Sequence, residues 1–153
     1  GGHNIDPAMI EEALLSHPAV GFAGAIGQPD MVAGELPCAY VELVEGATVT
    51  PGALLHHAAD RVPERAATPK HIEVMAELPK TAVGKVFKPD LRRMAITRVY
   101  TEEFAKAGLA VSVVEVIEDK RRGLVARIER TGEVDDEKVV DLLDSFTVAW
   151  EWA

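Results

Sequence analysis

Glu77-Leu78-Pro79-Lys80-Thr81-Ala82-Val83-Gly84-Lys85-Val86-Phe87-Lys88 is the stretch around which the rest of the chain organises. Pro79 fixes its own φ and stiffens the entry, while Gly84 tolerates a positive φ that most residues resist. The segment therefore reads as a loop or tight hairpin over Lys80–Lys88, carrying Lys85 on its far limb. Upstream, His71 to Met75 alternates through Ile72 and Val74, a short strand. Breaks at Pro63 and Pro69 separate it from a helix over Pro51 to Val62, with Leu54, Leu55, Ala58 and Val62 facing inward. Pro37 to Val44 and Ala19 to Ile26 read as strands, the latter bounded by a turn at Gly27-Gln28-Pro29-Asp30. Asp6 caps and Pro7 opens the first helix, whose stripe Ile10, Ala13, Leu14, His17 ends at Pro18. Downstream, Pro89 begins a helix through Met94. The order α, β, β, α, β, loop, α predicts a small α+β domain over 1–96, with a sheet of about three strands packed against helices.

From Thr97 the pattern changes. Thr101 to Ala107 reads as a helix ending at Gly108. Ala110 to Ile117 and Leu124 to Ile128 form a hairpin about a turn at Glu118–Gly123. Asp135 or Asp136 caps a final helix through about Val148, carrying Val139, Leu142, Leu143 and Phe146. Residues 97–153 are thus expected to be a helix–hairpin–helix extension packed on the first domain, with Trp150 and Trp152 burying their apolar area there.

Composition narrows the function. The 153 residues carry 16 Lys plus Arg against 25 Asp plus Glu, a formal charge of −9, which disfavours nucleic-acid binding. No apolar run approaches the roughly 20 residues of a membrane-spanning helix. The opening Gly1-Gly2-His3-Asn4 has neither an initiator Met nor a basic, apolar leader. The chain is therefore read as a piece of a longer protein, without a secretory signal and cytoplasmic. The single Cys38 reads as a small buried hydrophobe. His56 and His57 point about 100° apart on a helix, and His3, His17 and His71 lack ligand spacing, so no metal site is expected. Taken on its residues alone, Lys85 is either a solvated surface lysine or a mobile point charge suited to negative charge building on phosphate oxygens.

A wider set of motifs resolves that choice. Pro79-Lys80-Thr81-x-x-Gly84-Lys85 resembles the terminal signature of the adenylate-forming superfamily, which comprises acyl-CoA synthetases, peptide-synthetase adenylation domains and luciferases. Gly1 to Pro7, Ile10-Glu11 and His17-Pro18-Ala19-Val20 resemble the segment after that family's hinge. Gly27-Gln28-Pro29-Asp30, Gly34-Glu35 and Pro69-Lys70-His71-Ile72 match further motifs in the same order. The match covers Gly1 to about Ile96. Val86-Phe87-Lys88-Pro89 is similar to bacterial fatty-acyl-CoA synthetase-like proteins.

The resemblance implies the C-terminal lid of an ATP-dependent acid–CoA ligase, inactive as an isolated fragment. A small carboxylic acid attacks ATP to give acyl-AMP and pyrophosphate, and coenzyme A then takes the acyl group, releasing AMP. Mg2+ is expected with ATP, held mainly by an N-terminal adenylation domain of the same chain, the lid's principal partner. Lys85 is implied as the catalytic lysine of the first step, after which the lid rotates for the second. Gly1 and Gly2 are implied to line the pantetheine passage or to be a flexible hinge remnant, Lys80 to contact substrate phosphate or to serve the structure of the loop, and Gly84 to shape the loop. An aliphatic or otherwise apolar acid is implied. Two alternatives differ in kind. One is a lid that loads a carrier protein; the other is a non-catalytic interaction module with the same fold.

Overall fold

The computed structural model describes residues 6–62 and 68–153. Helix α1 (Pro7–Leu15) starts as expected: the Asp6 carboxylate accepts the Ala8 N–H and Pro7 occupies the first turn. Strand β1 (Val20–Asp30) is longer than predicted. The turn begins after Asp30, whose carboxylate accepts the N–H groups of Val32 and Ala33 at 3.0 and 2.8 Å. Gly27 lies within this strand, with the Glu35 side chain where its Cβ would sit. Its small size serves packing and not a turn.

Strand β2 (Gly34–Leu43) neighbours β1, and β3 (Ile72–Met75) pairs in parallel with β2, from Ala39 opposite Ile72 to Glu42 opposite Met75. Helix α2 (Pro51–Arg61) is capped by Thr50, whose hydroxyl accepts the Ala53 N–H. It makes the connection between the parallel strands that such pairing requires. Ile10, Leu14, Ala39, Val41, Leu54, Ala58 and Ile72 are all buried in the resulting core.

Helix α3 (Lys88–Ala107) corrects the sequence reading, which broke it into two pieces. No Gly or Pro interrupts Ala95 to Tyr100, and Ala95, Ile96, Val99, Tyr100 and Phe104 are all buried at helical spacing. The helix ends where expected, at Gly108 with φ +66. Strands β4 (Val111–Asp119) and β5 (Gly123–Arg130) form the predicted hairpin, with a bulge between Val113 and Glu115.

Helix α4 (Asp136–Asp144) is capped by Asp135 but stops before Val148. The chain continues as β6 (Ala149–Trp152), a strand absent from the sequence reading, parallel to β5 with Ala126 opposite Trp150 and Ile128 opposite Trp152. The extension is thus helix, hairpin, helix and strand. Both tryptophans pack against its own core of Tyr100, Phe104, Val139, Leu143 and Phe146.

The described residues divide into two compact units. One holds the chain up to Gln28 with Glu35–Arg92, the other Pro29–Gly34 with Arg93–Ala153. Each has its own three-stranded sheet, and the architecture is α+β throughout. Among the described residues no helix is long and apolar enough to cross a membrane.

Candidate functional site

The segment from Pro79 to Phe87 closes on itself. The Phe87 N–H donates to the Pro79 carbonyl at 2.8 Å and the Thr81 N–H to the Lys85 carbonyl at 2.7 Å. Lys80 and Val86 form an antiparallel bridge between the limbs. At the tip, the Gly84 N–H donates to the Thr81 carbonyl and the Lys85 N–H to the Thr81 hydroxyl. Gly84 takes φ +83, a conformation costly for any residue with a Cβ. Residue 81 therefore fastens both flanks of the tip, and its hydroxyl bond to the Lys85 N–H is the one that needs a threonine or serine there.

The hairpin rests on β1 through Val86. A Cβ built on Gly24 would fall 2.9 Å from the Val86 Cγ1 and 2.6 Å from the Leu91 Cδ1. Gly24 is therefore the shelf on which the hairpin and the start of α3 sit. At the outer end Lys85 is exposed, and Val83 beside it is 79% exposed.

The three lysines of this region differ in environment. The Lys80 ammonium donates to Glu42 Oε1 at 2.7 Å and lies 4.4 Å from the centre of the Phe22 ring, a cation–π contact. The same Glu42 oxygen accepts the Leu78 N–H at 2.8 Å. The Lys80 hydrogen bond, aided by the Leu78 N–H, holds the Glu42 carboxyl below the usual carboxylate range. Lys88 pairs at 2.9 Å with Glu11, whose Oε2 also accepts the Ala25 N–H at 3.0 Å. Lys85 has no carboxylate within ion-pair distance among the described residues.

Of the residues singled out from the sequence, Lys80, Gly84 and Lys85 come together on this hairpin. Gly1 and Gly2 lie outside the described residues. Glu42, Glu11 and Phe22 were missed. Glu42 carried a readable signal, as the lone carboxylate in Ala39-Tyr40-Val41-Glu42-Leu43. Glu11 stood out only as part of the Ile10-Glu11 motif near the start of α1, with nothing in the sequence to pair it with Lys88. Among the described residues no three His, Cys, Asp or Glu side chains come together as a metal set. Glu42 and Glu11 are taken by lysines, so the hairpin offers cations and not ligands for Mg2+.

A cleft of about 630 Å3 lies beside α2, lined by Gly52, His56, Val62 and Lys70 among others, and no hairpin residue contributes to it. The strongest electrostatics of the other unit are self-contained. Arg127 pairs with Glu115 and Glu151, and Arg122 with Asp119 and Glu151. Backbone N–H groups of Arg122 and Arg121, with the Arg122 guanidinium, hold the Asp119 carboxyl at about 2.

A family model, the AMP-binding enzyme C-terminal domain, matches residues 9–85. The chain is 42% identical over 129 residues to a marinolic acid–CoA ligase of Pseudoalteromonas sp. (strain SANK 73390), covering 84% of this chain and 20% of that protein. Among solved structures it resembles o-succinylbenzoate CoA synthetase from Bacillus subtilis, bound with its product analogue. That likeness has 38% identity and a TM-score of 0.54, and covers 60% of this chain and 18% of that one. It also resembles a fatty acyl CoA synthetase of Mycobacterium tuberculosis, with 30% identity, a TM-score of 0.54, and coverage of 60% and 18%. The chain spans about a fifth of the length of these proteins.

Proposed function

Because this chain belongs to the family of AMP-binding enzyme C-terminal domains, we propose that it is the mobile lid of an ATP-dependent acid–CoA ligase and that Lys85 is its adenylation lysine. Residues 1–96 form the lid proper and 97–153 its extension. The observation that carries this reading is the isolation of Lys85: an exposed ammonium at the end of a pinned hairpin, with its flanking lysines already neutralised.

Such a group suits the first half-reaction. When a carboxylate oxygen attacks the α-phosphate of ATP, pyrophosphate leaves and negative charge spreads over the phosphoryl oxygens. A pre-positioned cation offsets that charge without reorganising at the moment of reaction. Mg2+ bound with ATP would supply further charge neutralisation, from ligands outside this hairpin. In the second half-reaction the coenzyme A thiolate attacks the acyl-AMP carbonyl and AMP leaves, a step that does not need Lys85 at the phosphate. Gly1 and Gly2 line the pantetheine passage in this reading. Lys80 reaches phosphate only by giving up Glu42 and Phe22, so anchoring the hairpin base is its principal role. The upstream adenylation domain is the partner on which the tip closes.

An apolar acid is the proposed substrate class, supported by the likeness to a fatty acyl CoA synthetase. A reducing, cytoplasmic setting agrees with Cys38, a buried free thiol.

The test separates the half-reactions in the parent enzyme. Lys85→Ala is expected to lower acid-dependent ATP–pyrophosphate exchange by about 10²–10³-fold. Thioester formation from supplied acyl-AMP should be largely kept. Exchange surviving within a few-fold would make Lys85 an ordinary surface lysine and remove the assignment.

A further inference from the structure

A hairpin that delivers one cation to a phosphate faces two physical problems. It must hold its stem still, and it must keep neighbouring cations from competing for the same anion. Both problems meet at Glu42 and Glu11. On the entry limb, one oxygen of Glu42 accepts from the Leu78 N–H and the Lys80 ammonium together. On the exit limb, Glu11 holds Lys88 and at the same time accepts the Ala25 N–H of β1. The two carboxylates come from different elements, β2 and α1.

All four side chains of the two pairs are at most 30% exposed, so the pairs are shielded from the screening that weakens surface ion pairs. We propose that Glu42 and Glu11 form a two-carboxylate bracket that fixes both limbs of the hairpin and cancels its flanking cations, which makes them positioning residues for Lys85. This deepens the adenylation reading and rests on it.

The chemistry of the bracket is electrostatic selection. Removing one partner of a shielded pair frees the other charge. With Glu42 neutral, Lys80 becomes a second free cation at the base of the hairpin and the Leu78 N–H loses a charged acceptor. Phosphate can then be drawn to the base instead of the tip, and the Lys85 stem loses its fixed footing. The defect falls on the half-reaction that uses Lys85 and spares the one that does not. A residue that merely stabilised the lid would affect both.

The experiment uses the parent enzyme, with Glu42→Gln, Glu11→Gln, Lys80→Arg, Lys80→Met and Lys85→Ala assayed in each half-reaction. Glu42→Gln and Glu11→Gln are each expected to slow ATP–pyrophosphate exchange about tenfold or more. Thioester formation from supplied acyl-AMP should stay within about twofold of the unaltered enzyme. Lys80→Arg, which keeps a cation for Glu42, should retain exchange, and Lys80→Met should not. Combining Glu42→Gln with Lys80→Met should cost no more than the worse single change, because the two act through one contact.

Exchange within about threefold of normal in Glu42→Gln, or an equal fall in both half-reactions, overturns the bracket. If Glu42→Gln does not fold, Lys80→Met carries the same test from the lysine side of the contact. Lys85→Ala separates the two levels. If it leaves exchange intact, the lysine assignment itself falls and the bracket with it. If it abolishes exchange while Glu42→Gln and Glu11→Gln do not slow it, the bracket alone falls.

Discussion

The two units solve the same structural problem with different materials. Each builds a three-stranded sheet in which a parallel pair is completed by a strand returning after a helix: β2 with β3, β5 with β6. The first sheet is lined with small residues, including Ala23, Gly24, Ala25 and Ala39, and on that shelf it carries a hairpin whose Lys85 has no ion pair among the described residues. The second is filled with aromatic rings, Tyr100 against Phe104 and Phe146 and Trp150 against Trp152. Its Arg122, Arg127 and Arg130 are all matched to carboxylates. On the function proposed above, the contrast separates a platform for chemistry from a scaffold. Among the described residues the first leaves the lysine at its hairpin tip without a carboxylate partner while its flanking lysines are paired, and the second pairs the arginines on its sheet.

The sharpest way to break that comparison after Lys85 and its bracket is to put the same methyl group on a glycine of each unit. Gly24→Ala forces a Cβ against Val86 and Leu91. Val86 is β-branched and Leu91 is fully buried, so neither yields freely. A loss of about 1–3 kcal/mol is expected from overpacking, with a selective fall in adenylation as the hairpin lifts. In the second unit Gly132→Ala meets only the Ala110 Cβ at 3.4 Å, and a change within about 0.5 kcal/mol is expected. Urea denaturation of the two variants checks both. Equal effects would mean that the hairpin does not depend on its glycine shelf.

How much of this was legible beforehand depends on whether the signal was local. Asp6-Pro7 and Thr50-Pro51 announce helix starts because cap and first turn are adjacent in sequence. The Pro79 to Lys85 punctuation announces the hairpin for the same reason. Strand β6 was not legible. Val139, Leu142, Leu143 and Phe146 set a helical rhythm, and only the free edge of β5 turns Ala149–Trp152 into a strand. The continuity of α3 was missed because Thr97 and Val99 have modest helix propensity, which burial of Ile96, Val99 and Tyr100 overrides. Gly27 was read as a turn although its task is to admit Glu35. In the site, Lys85 and Gly84 were readable, whereas Glu42 and Glu11 meet Lys80 and Lys88 only through the tertiary fold. The match to the marinolic acid–CoA ligase runs over 129 residues, and 129 − 96 leaves at least about 33 beyond the first domain as read from the sequence.

A smaller effect sharpens the scaffold half of the comparison. The Tyr100 hydroxyl is buried with no hydrogen-bond partner among the described residues, and burial pushes its phenol well up from the ordinary value. An unsatisfied buried hydroxyl costs stability. Tyr100→Phe keeps the ring contacts with Phe104 and Phe146 and removes that cost. Stability should hold or rise by up to about 1 kcal/mol, with both half-reactions unchanged. A clear loss in thermal unfolding would show that the second core depends on polar chemistry after all.

The smallest expected effect is one of pH, and it divides the units by composition: all five histidines precede residue 72. His57 on α2 meets the end of α1. Its Nε2 lies 2.8 Å from the Ser16 hydroxyl, which itself lies against the Ala13 carbonyl. His17 stands edge-on at 4.9 Å between ring centres, its Nδ1 accepting the Ala19 N–H. Burial above all, then Arg61 and His17, pushes the His57 pKa below its ordinary value, against weaker opposing pulls from the Ala13 carbonyl and Asp60. A histidine that is harder to protonate folded than unfolded stabilises the fold fully above its unfolded pKa, near about 6.5. That stability is lost as pH falls below this value toward the folded pKa. The paired carboxylates of the second unit, Asp119, Asp136 and Glu151, have depressed values. They hold their contribution until pH falls through the acid range. Amide hydrogen exchange between about pH 7.5 and 5.5 should therefore loosen α1 and α2 while β4 to β6 keep their protection. His57→Gln should remove the difference. Parallel loosening of both units would mean that their stabilities are not separate, and the division between platform and scaffold would then describe chemistry alone and not folding.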